Sequence, residues 1–340
     1  MNVSNKSARL RAGQGEDSFI GLVGDIGGTN ARFAIAYRRG HEARLEHNQT
    51  IECAGFSDLY QAVEVYFSGL PERPHLDFVA LAMAGPVKNG AITLTNLPWT
   101  VMEAELRSKT GAKVARLMND YAGLAFSLPH LTSEDTRLIG PLQKGTGEVY
   151  AVMGAGTGFG AAVLVGGAFG PYCLSTESGH ATYAPVDDFG TSIHAYLRKR
   201  FGRVSVESLL SGPGLLNLYQ AVCHIHDQKA LDLTPAQITS LNGSDDFWCK
   251  RTLEAFIDIL ADVTGDIALY HGATAGVFVA GGITPRLIDH INPERFRSRM
   301  EAKAPMRAMV AAIPSKVIIH PHAAMIGAAH ALSTAEIPHD

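Results

Sequence analysis

At 340 residues the chain is too long for one core of ordinary size, so two domains are the expectation. A formal net charge of −4 without any basic run argues against nucleic acid or an acidic membrane surface as partner. Cys53, Cys173, Cys223 and Cys249 form no C-x-x-C pair and read as buried free thiols of a reducing compartment, neither staples nor zinc ligands. Residues 1–18 are polar, with Lys6, Arg9 and Arg11 but no apolar core, which predicts a loose tail and no secretory signal. No apolar run elsewhere is long enough to span a bilayer, so a soluble, cytoplasmic protein without a membrane partner is expected.

The first structured segment is LVGDIGGTNARFAIA, residues 22–36, a strand, a glycine turn and a second strand with Asp25 at the bend. Gly27 and Gly28 are expected to take positive φ, so that the turn presents successive N–H groups to an anion, with the Thr29 hydroxyl as a further donor. A carboxylate beside phosphates repels them unless a hydrated divalent cation lies between, so Asp25 points to a metal nucleotide. The plainer reading is an ordinary hairpin capped by Asp25. Neither G-x-x-x-x-G-K-[ST] nor a helix-opening G-x-G-x-x-G occurs here, which excludes the two common nucleotide-binding turns.

Farther along, periodicity predicts a helix near 56–67, a buried strand at 78–84 and a tight hairpin at Asn89-Gly90. A strand at 114–118 runs into Asn119-Asp120 and a helix at 121–128, which sets two polar side chains at the carboxyl end of a strand, where open α/β sheets bind ligands. An Asp in that place is also an ordinary helix cap. The glycine hairpin then recurs in VYAVMGAGTGFGAAVLV, residues 149–165, with Gly154, Gly156, Gly158 and Gly160 alternating around Thr157. Amphipathic helices follow near 213–226 and 247–271. In VFVAGGITPRLI, residues 277–288, a buried strand ends in Gly281-Gly282, a bare backbone on which a flat adenosine can lie, and Thr284 and Pro285 are placed to be N-cap and N1 of a helix. A strand at 316–319 and a small-residue helix at 323–332 close the chain. His320 and His322 read as surface histidines, since no third metal ligand is near.

In this order, D-x-G-G-T-N-A-R at 25–32, TNLPW at 95–99, ND at 119–120, GAGTGFG at 154–160, ESGH at 177–180, ESLLSGPGLLNLY at 207–219 and AGGITPR at 280–286 resemble the bacterial ATP-dependent glucokinases of the actin-like ATPase and sugar-kinase superfamily. The resemblance spans about residues 20–332 and rests on the joint order of the motifs. It implies an α/β fold of two actin-like (ribonuclease H-like) domains with the active-site cleft between them. The smaller domain is then discontinuous, 19–129 plus 318–340, with 130–317 as the larger one. It also implies transfer of the γ-phosphoryl of ATP, with Mg2+, to the 6-hydroxyl of glucose.

By that resemblance Asp120 is the catalytic base, and Asn119, Asp120, Glu177, His180 and Glu207 hold the sugar, with Asn96 a weaker sugar or structural contact. Gly24, Asp25, Ile26, Gly27, Gly28, Thr29, Gly156, Thr157, Gly158, Gly281 and Gly282 hold the nucleotide, and Asp25 serves Mg2+ through water. Taken singly, His180 reads as a core histidine and Glu207 as a solvated residue before a helix. The chain departs from the pattern in Leu174-Ser175-Thr176 ahead of Glu177, where Pro-Gly is usual, in Ser178-Gly179 behind it, where Gly-Gly is usual, and in HPHAAMIGAAH at 320–330, which lacks an Asn-Pro-Gly turn. A kinase for another hexose or an N-acetylhexosamine keeps every nucleotide motif, and a non-catalytic ATP switch of the actin or chaperone type keeps the hairpins without the sugar ligands. A sugar-responsive repressor needs a helix-turn-helix for which the N-terminal tail has no room. Homodimerisation is left open.

Overall fold

The computed structural model describes residues 18–40, 42–94, 97–168, 170–240, 246–333 and 336–337. The tail expected over 1–18, apart from Ser18, and the contact expected of Asn96 lie outside these residues. The chain forms two compact units, Met1–His130 with Ala324–Asp340, and Leu131–Ala323.

The first unit runs β1 (Ser18–Ile26), β2 (Asn30–Arg39), β3 (Glu42–Glu52), α1 (Leu59–Ser68), β4 (Phe78–Met83), β5 (Ala91–Thr93), β6 (Thr100–Met102), α2 (Glu103–Thr110), β7 (Val114–Asn119) and α3 (Asp120–Ser127). Its sheet has the order β3-β2-β1-β4-β7, antiparallel across β3-β2-β1 and parallel across β1-β4-β7. Every residue of β4 is buried, as befits a parallel strand covered on both faces. In α1, Leu59, Ala62, Val63, Tyr66 and Phe67 are buried, the i, i+3, i+4, i+7, i+8 stripe of a core-facing helix, and Asp58 caps it by accepting from the Gln61 N–H. Asn89 and Gly90 both take left-handed φ, +51° and +69°, as the Asn-Gly signal for a tight hairpin requires.

The second unit contains β8 (Thr136–Leu138), β9 (Val149–Ala155), β10 (Phe159–Val165), β11 (Tyr172–Thr176), α4 (Asp188–Phe201), α5 (Gly212–Ile225), α6 (Pro235–Thr239), α7 (Phe247–His271), β12 (Gly276–Ala280), α8 (Pro293–Met300), α9 (Arg307–Ala311) and β13 (Ser315–Ile318). Its sheet has the order β11-β10-β9-β12-β13-β8. From β11 to β13 the pairing repeats the first sheet, antiparallel across β11-β10-β9 and parallel across β9-β12-β13. The two glycine hairpins of the sequence are thus the same element of two like sheets, the opening β1-β2 and β9-β10 pairs. The core of this unit gathers around α5 and α7, with Leu215, Leu218, Phe256 and Leu260 among its most buried side chains.

The chain ends in α10 (Ala323–His330), which the first unit shares in all but its first residue. A Cβ on Gly327 would strike the Gly123 carbonyl, and one on Gly123 would come 2.7 Å from the Ala82 Cβ. Two glycines therefore let α10 cross α3 at close range and press it on β4. That contact fixes the helix whose first residue is Asp120.

Several local expectations are corrected. Thr284 is not an N-cap: Ile283 holds that position, Thr284 opens a 3₁₀ helix over Thr284–His290, and its hydroxyl is buried without a hydrogen-bond partner among the described residues. Cys173 is half-buried while the other three cysteines are buried, because it lies on the edge strand β11. His320 and His322 are half-buried and not on the open surface: His320 Nδ1 accepts the His322 N–H at 3.1 Å, which folds the pair back onto the chain.

Candidate active site

In the first unit two polar groups converge at the carboxyl ends of parallel strands. Asp25 lies near the end of β1, and the hairpin register sets it directly opposite Arg32, whose guanidinium donates to it at 2.9 Å. The motif pattern alone assigns Arg32 no role. Counting outward from Gly27-Gly28 pairs Asp25 with Asn30, whereas the hairpin is centred one residue later, on Gly28-Thr29, so the observed register is needed to pair the two.

The turn closes by a bond from the Gly27 N–H to the Asn30 carbonyl at 2.9 Å, and Cys53 steadies it by donating its N–H to the Thr29 carbonyl at 2.8 Å. Neither Gly27 nor Gly28 is among the positive-φ glycines, which corrects the expectation. An added Cβ at Gly27 would meet only the Asn30 carbonyl at an ordinary 3.5 Å, so left-handed backbone is not what this glycine supplies. Gly24 serves packing instead: a Cβ there would come 2.8 Å from Leu81 Cδ2 of β4. Ile26 is buried in the core, which leaves its backbone alone for any ligand.

Asn119 ends β7 and caps α3: its Oδ1 accepts the Tyr121 N–H at 3.0 Å while its Nδ2 donates to the Gly85 carbonyl at 3.3 Å. The capping role weighed for Asp120 is therefore shared, since Asp120 Oδ1 accepts the same N–H at 3.0 Å. Burial pushes the Asp120 carboxyl up to about 6; the Tyr121 N–H opposes this and the charge of Asp25 adds to it.

The second unit brings Glu177, His180 and Glu207 into one region and sets the second glycine turn beside it. Glu177 precedes a single 3₁₀ turn, Ser178–His180, and the two side chains face solvent, with 84% and 60% of their surface exposed and 4.0 Å between carboxylate and imidazole. His180 is thus no core histidine. The turn is held from behind: Arg203 donates to the His180 carbonyl at 2.8 Å, Val206 N–H to Ala181, and Glu207 N–H to Gly179. No local pattern marks Arg203 as a support, because it acts on a carbonyl 23 residues away.

Glu207 is not a solvated residue either. It is half-buried, and its Oε2 accepts the Phe159 N–H at 2.8 Å at the start of β10. Within the turn, Gly156 donates to the Gly158 carbonyl and accepts from Gly212, the first residue of α5, both at 2.8 Å. Thr157 is exposed at the tip.

The glycines sort by use. A Cβ on Gly154 would strike the Ala280 carbonyl, and one on Gly281, at φ +88°, the Ala155 carbonyl, so these two let β9 and the end of β12 approach closely. Gly156 and Gly282 face open space. Among the described residues no group of three or more His, Cys, Asp or Glu is placed to hold a metal ion, and no helix is long and apolar enough to cross a membrane.

A family model described as Glucokinase matches residues 22–335. The glucokinase of Caulobacter sp. (strain K31) is 43% identical over 315 residues, 92% of this chain and 95% of that protein. The glucokinase of Hahella chejuensis is 38% identical, over 93% of this chain and 98% of its own. Among solved structures, the crystal structure of glucokinase from an Antarctic psychrotroph superposes with a TM-score of 0.85 at 37% identity, covering 92% of this chain and 98% of that one.

Proposed function

The chain belongs to the glucokinase family, and from that premise we propose that it works in the cytoplasm, transferring the γ-phosphoryl group of ATP to the 6-hydroxyl of D-glucose with Asp120 as general base. The observation that carries the assignment is the place of Asp120, the first residue of α3 directly after β7. Its carboxyl, pushed to about 6, is ionised in neutral solution and is a stronger base than an ordinary aspartate. It stands at a strand's carboxyl end, where α/β sheets present ligands. Phosphoryl transfer depends chiefly on positioning and electrostatics, so the base orients the hydroxyl and takes its proton as the new bond to phosphorus forms.

The other residues divide by chemistry. Backbone N–H groups at Gly28 and Thr29 and at Thr157 and Gly158 suit phosphate oxygens, and the open backbone at Gly282 suits a flat base. Gly24, Ile26, Gly27, Gly156 and Gly281 shape these turns. Asn119, Glu177, His180 and Glu207 supply the donors and acceptors that a neutral polyol needs, with charge-assisted bonds from the carboxylates.

Asp25 is half-buried and already paired with Arg32. That donor set fits a magnesium ion held by phosphates and water and touched by protein through water, since magnesium gives up its water shell reluctantly. When bound, magnesium would neutralise charge on the transferring phosphoryl group.

The test is a coupled assay with ATP across a panel of hexoses and N-acetylhexosamines, together with Asp120→Ala. Glucose should lead in kcat/KM. The variant should lose at least ~10²-fold in kcat while its affinity for glucose changes far less. Turnover near that of the wild type, or a panel led by another sugar, would overturn the assignment.

A further inference from the structure

Glu207 is read above as a ligand of the sugar, and the inference here rests on that reading. Its carboxylate does something else as well. Oε2 accepts the N–H of Phe159 at 2.8 Å, 48 residues earlier in the chain, at the point where the second glycine turn enters β10. The backbone of the same residue donates to the Gly179 carbonyl at 2.8 Å, inside the turn that carries His180. Four residues on, Ser211 donates to the Glu207 carbonyl and caps α5, and the first N–H of that helix reaches the Gly156 carbonyl. Gly158 completes the enclosure, because a Cβ there would come 2.5 Å from Oε2. Oε1 has no partner among the described residues, which leaves one oxygen for a sugar hydroxyl.

We infer that Glu207 is a positioning residue of the nucleotide hairpin as well as a ligand of the sugar. One carboxylate oxygen fixes the Gly156–Phe159 turn, and the other meets the sugar. A carboxylate is the apt group because it offers two acceptor atoms on one rigid plane. With the Phe159 N–H satisfied, the turn keeps one conformation and aims its tip N–H groups at phosphate. Without it, the glycine-rich turn samples many conformations, and nucleotide binding must supply the ordering entropy. Glutamine keeps an amide oxygen that can accept from Phe159. Alanine keeps none.

The experiment measures binding of glucose alone and of magnesium AMPPNP alone, by calorimetry, to the full chain and to Glu207→Gln, Glu207→Ala and Gly158→Ala. We expect Glu207→Ala to weaken both ligands, the nucleotide by roughly 3- to 10-fold, the usual scale of one lost hydrogen bond. Glu207→Gln should weaken glucose and leave the nucleotide within about twofold. Gly158→Ala, which lies in the nucleotide turn, should weaken glucose by displacing the carboxylate.

If Glu207→Ala weakens glucose alone, the residue is only a sugar ligand and this inference fails while the proposed function stands. If neither Glu207 variant weakens glucose, the sugar assignment of Glu207 falls as well. Equal loss of nucleotide affinity in Gln and Ala would point to charge in place of the Phe159 bond and would overturn the inference. Should Glu207→Ala not fold, the Gln and Gly158→Ala arms decide: unchanged glucose affinity in Gly158→Ala, or nucleotide affinity lost in Glu207→Gln, refutes it.

Discussion

Asp120 carries two opposed demands, and the conflict is measurable. Its folded carboxyl titrates near 6 against an ordinary 3.8, because burial disfavours its charge and Asp25 repels it. A carboxyl raised on folding stabilises the native state fully below its unfolded value, and that contribution is lost as pH climbs through the folded one. The rise from 3.8 to about 6 sets a ceiling of about 3 kcal/mol, and partial solvent access reduces this to about 1–2 kcal/mol. Asp120→Asn keeps the shape and removes the charge. It should therefore be more stable than the wild type at pH 7–8 by that amount, with the advantage gone below pH ~4, while kcat falls at least ~10²-fold. Denaturant unfolding at several pH values checks the first part. In the wild type, kcat/KM should fall about tenfold per pH unit below about 6, reporting the base of the free enzyme. A stability difference that persists at pH 3, or an acid limb centred near 4, would show that the carboxyl is not held in this state.

Between elements the clearest device is a ladder joining α7 to α8 and the turn beyond. Asp258, Asp262 and Asp266, one helical turn apart, meet Arg295, Arg299 and Lys303 at 2.5, 2.5 and 2.6 Å. The rungs differ in burial, so they should differ in energy. The Asp262 side chain is 4% exposed and Arg299 21%, whereas Arg295 is half in solvent. Removing Arg299 strands the buried Asp262 carboxylate, so Arg299→Ala should cost about 3–5 kcal/mol, whereas Asp262→Ala should cost less because Arg299 keeps Asp187 at 2.9 Å and Asp258 at 3.6 Å. Lys303→Ala should cost less than Arg299→Ala, because the Asp266 carboxylate it leaves behind is 35% exposed against 4% for Asp262, and all should be read by urea unfolding. Equal costs at all rungs would deny the burial argument. The ladder also shows what a sequence conceals. Helices such as α1 and α7 and the two glycine hairpins are legible, because a 3.6-residue stripe or a Gly-Gly bend writes them locally. Strands β3, β8 and β11 are not: they are edge strands, and polar, half-exposed stretches such as EARLEHNQTIE carry little alternation. Site residues follow the same division. Asp25, Asn119 and Asp120 lie at recognisable strand ends, but the opposition of Arg32 to Asp25 needs the register, and the Glu207 to Phe159 bond needs the tertiary fold. Glycines look alike in the sequence, and only packing separates Gly154 and Gly281, which admit a neighbouring carbonyl, from Gly156 and Gly282, which face open space.

For the whole molecule, the chemistry of the competing nucleophile sets the problem. Water is smaller than a sugar hydroxyl, so a site complete without sugar would hydrolyse ATP. The proposed sugar ligands are divided between the units, Asn119 and Asp120 in the first and Glu177, His180 and Glu207 in the second. On that proposed assignment, binding of one sugar by both sets should complete the constellation. Three results are expected. ATP hydrolysis without sugar should be slow beside phosphorylation of glucose. Saturating glucose should reduce the radius of gyration in solution scattering. 6-Deoxy-D-glucose, which lacks the acceptor oxygen, should reduce it too, since the remaining hydroxyls carry the binding, and it should yield no sugar phosphate. The analogue separates binding from chemistry, so compaction with glucose but not with the analogue would assign the change to the 6-hydroxyl or to product. An unchanged radius with glucose bound, alongside rapid hydrolysis in its absence, would mean that the site stands complete beforehand and that exclusion of water must be achieved by other means.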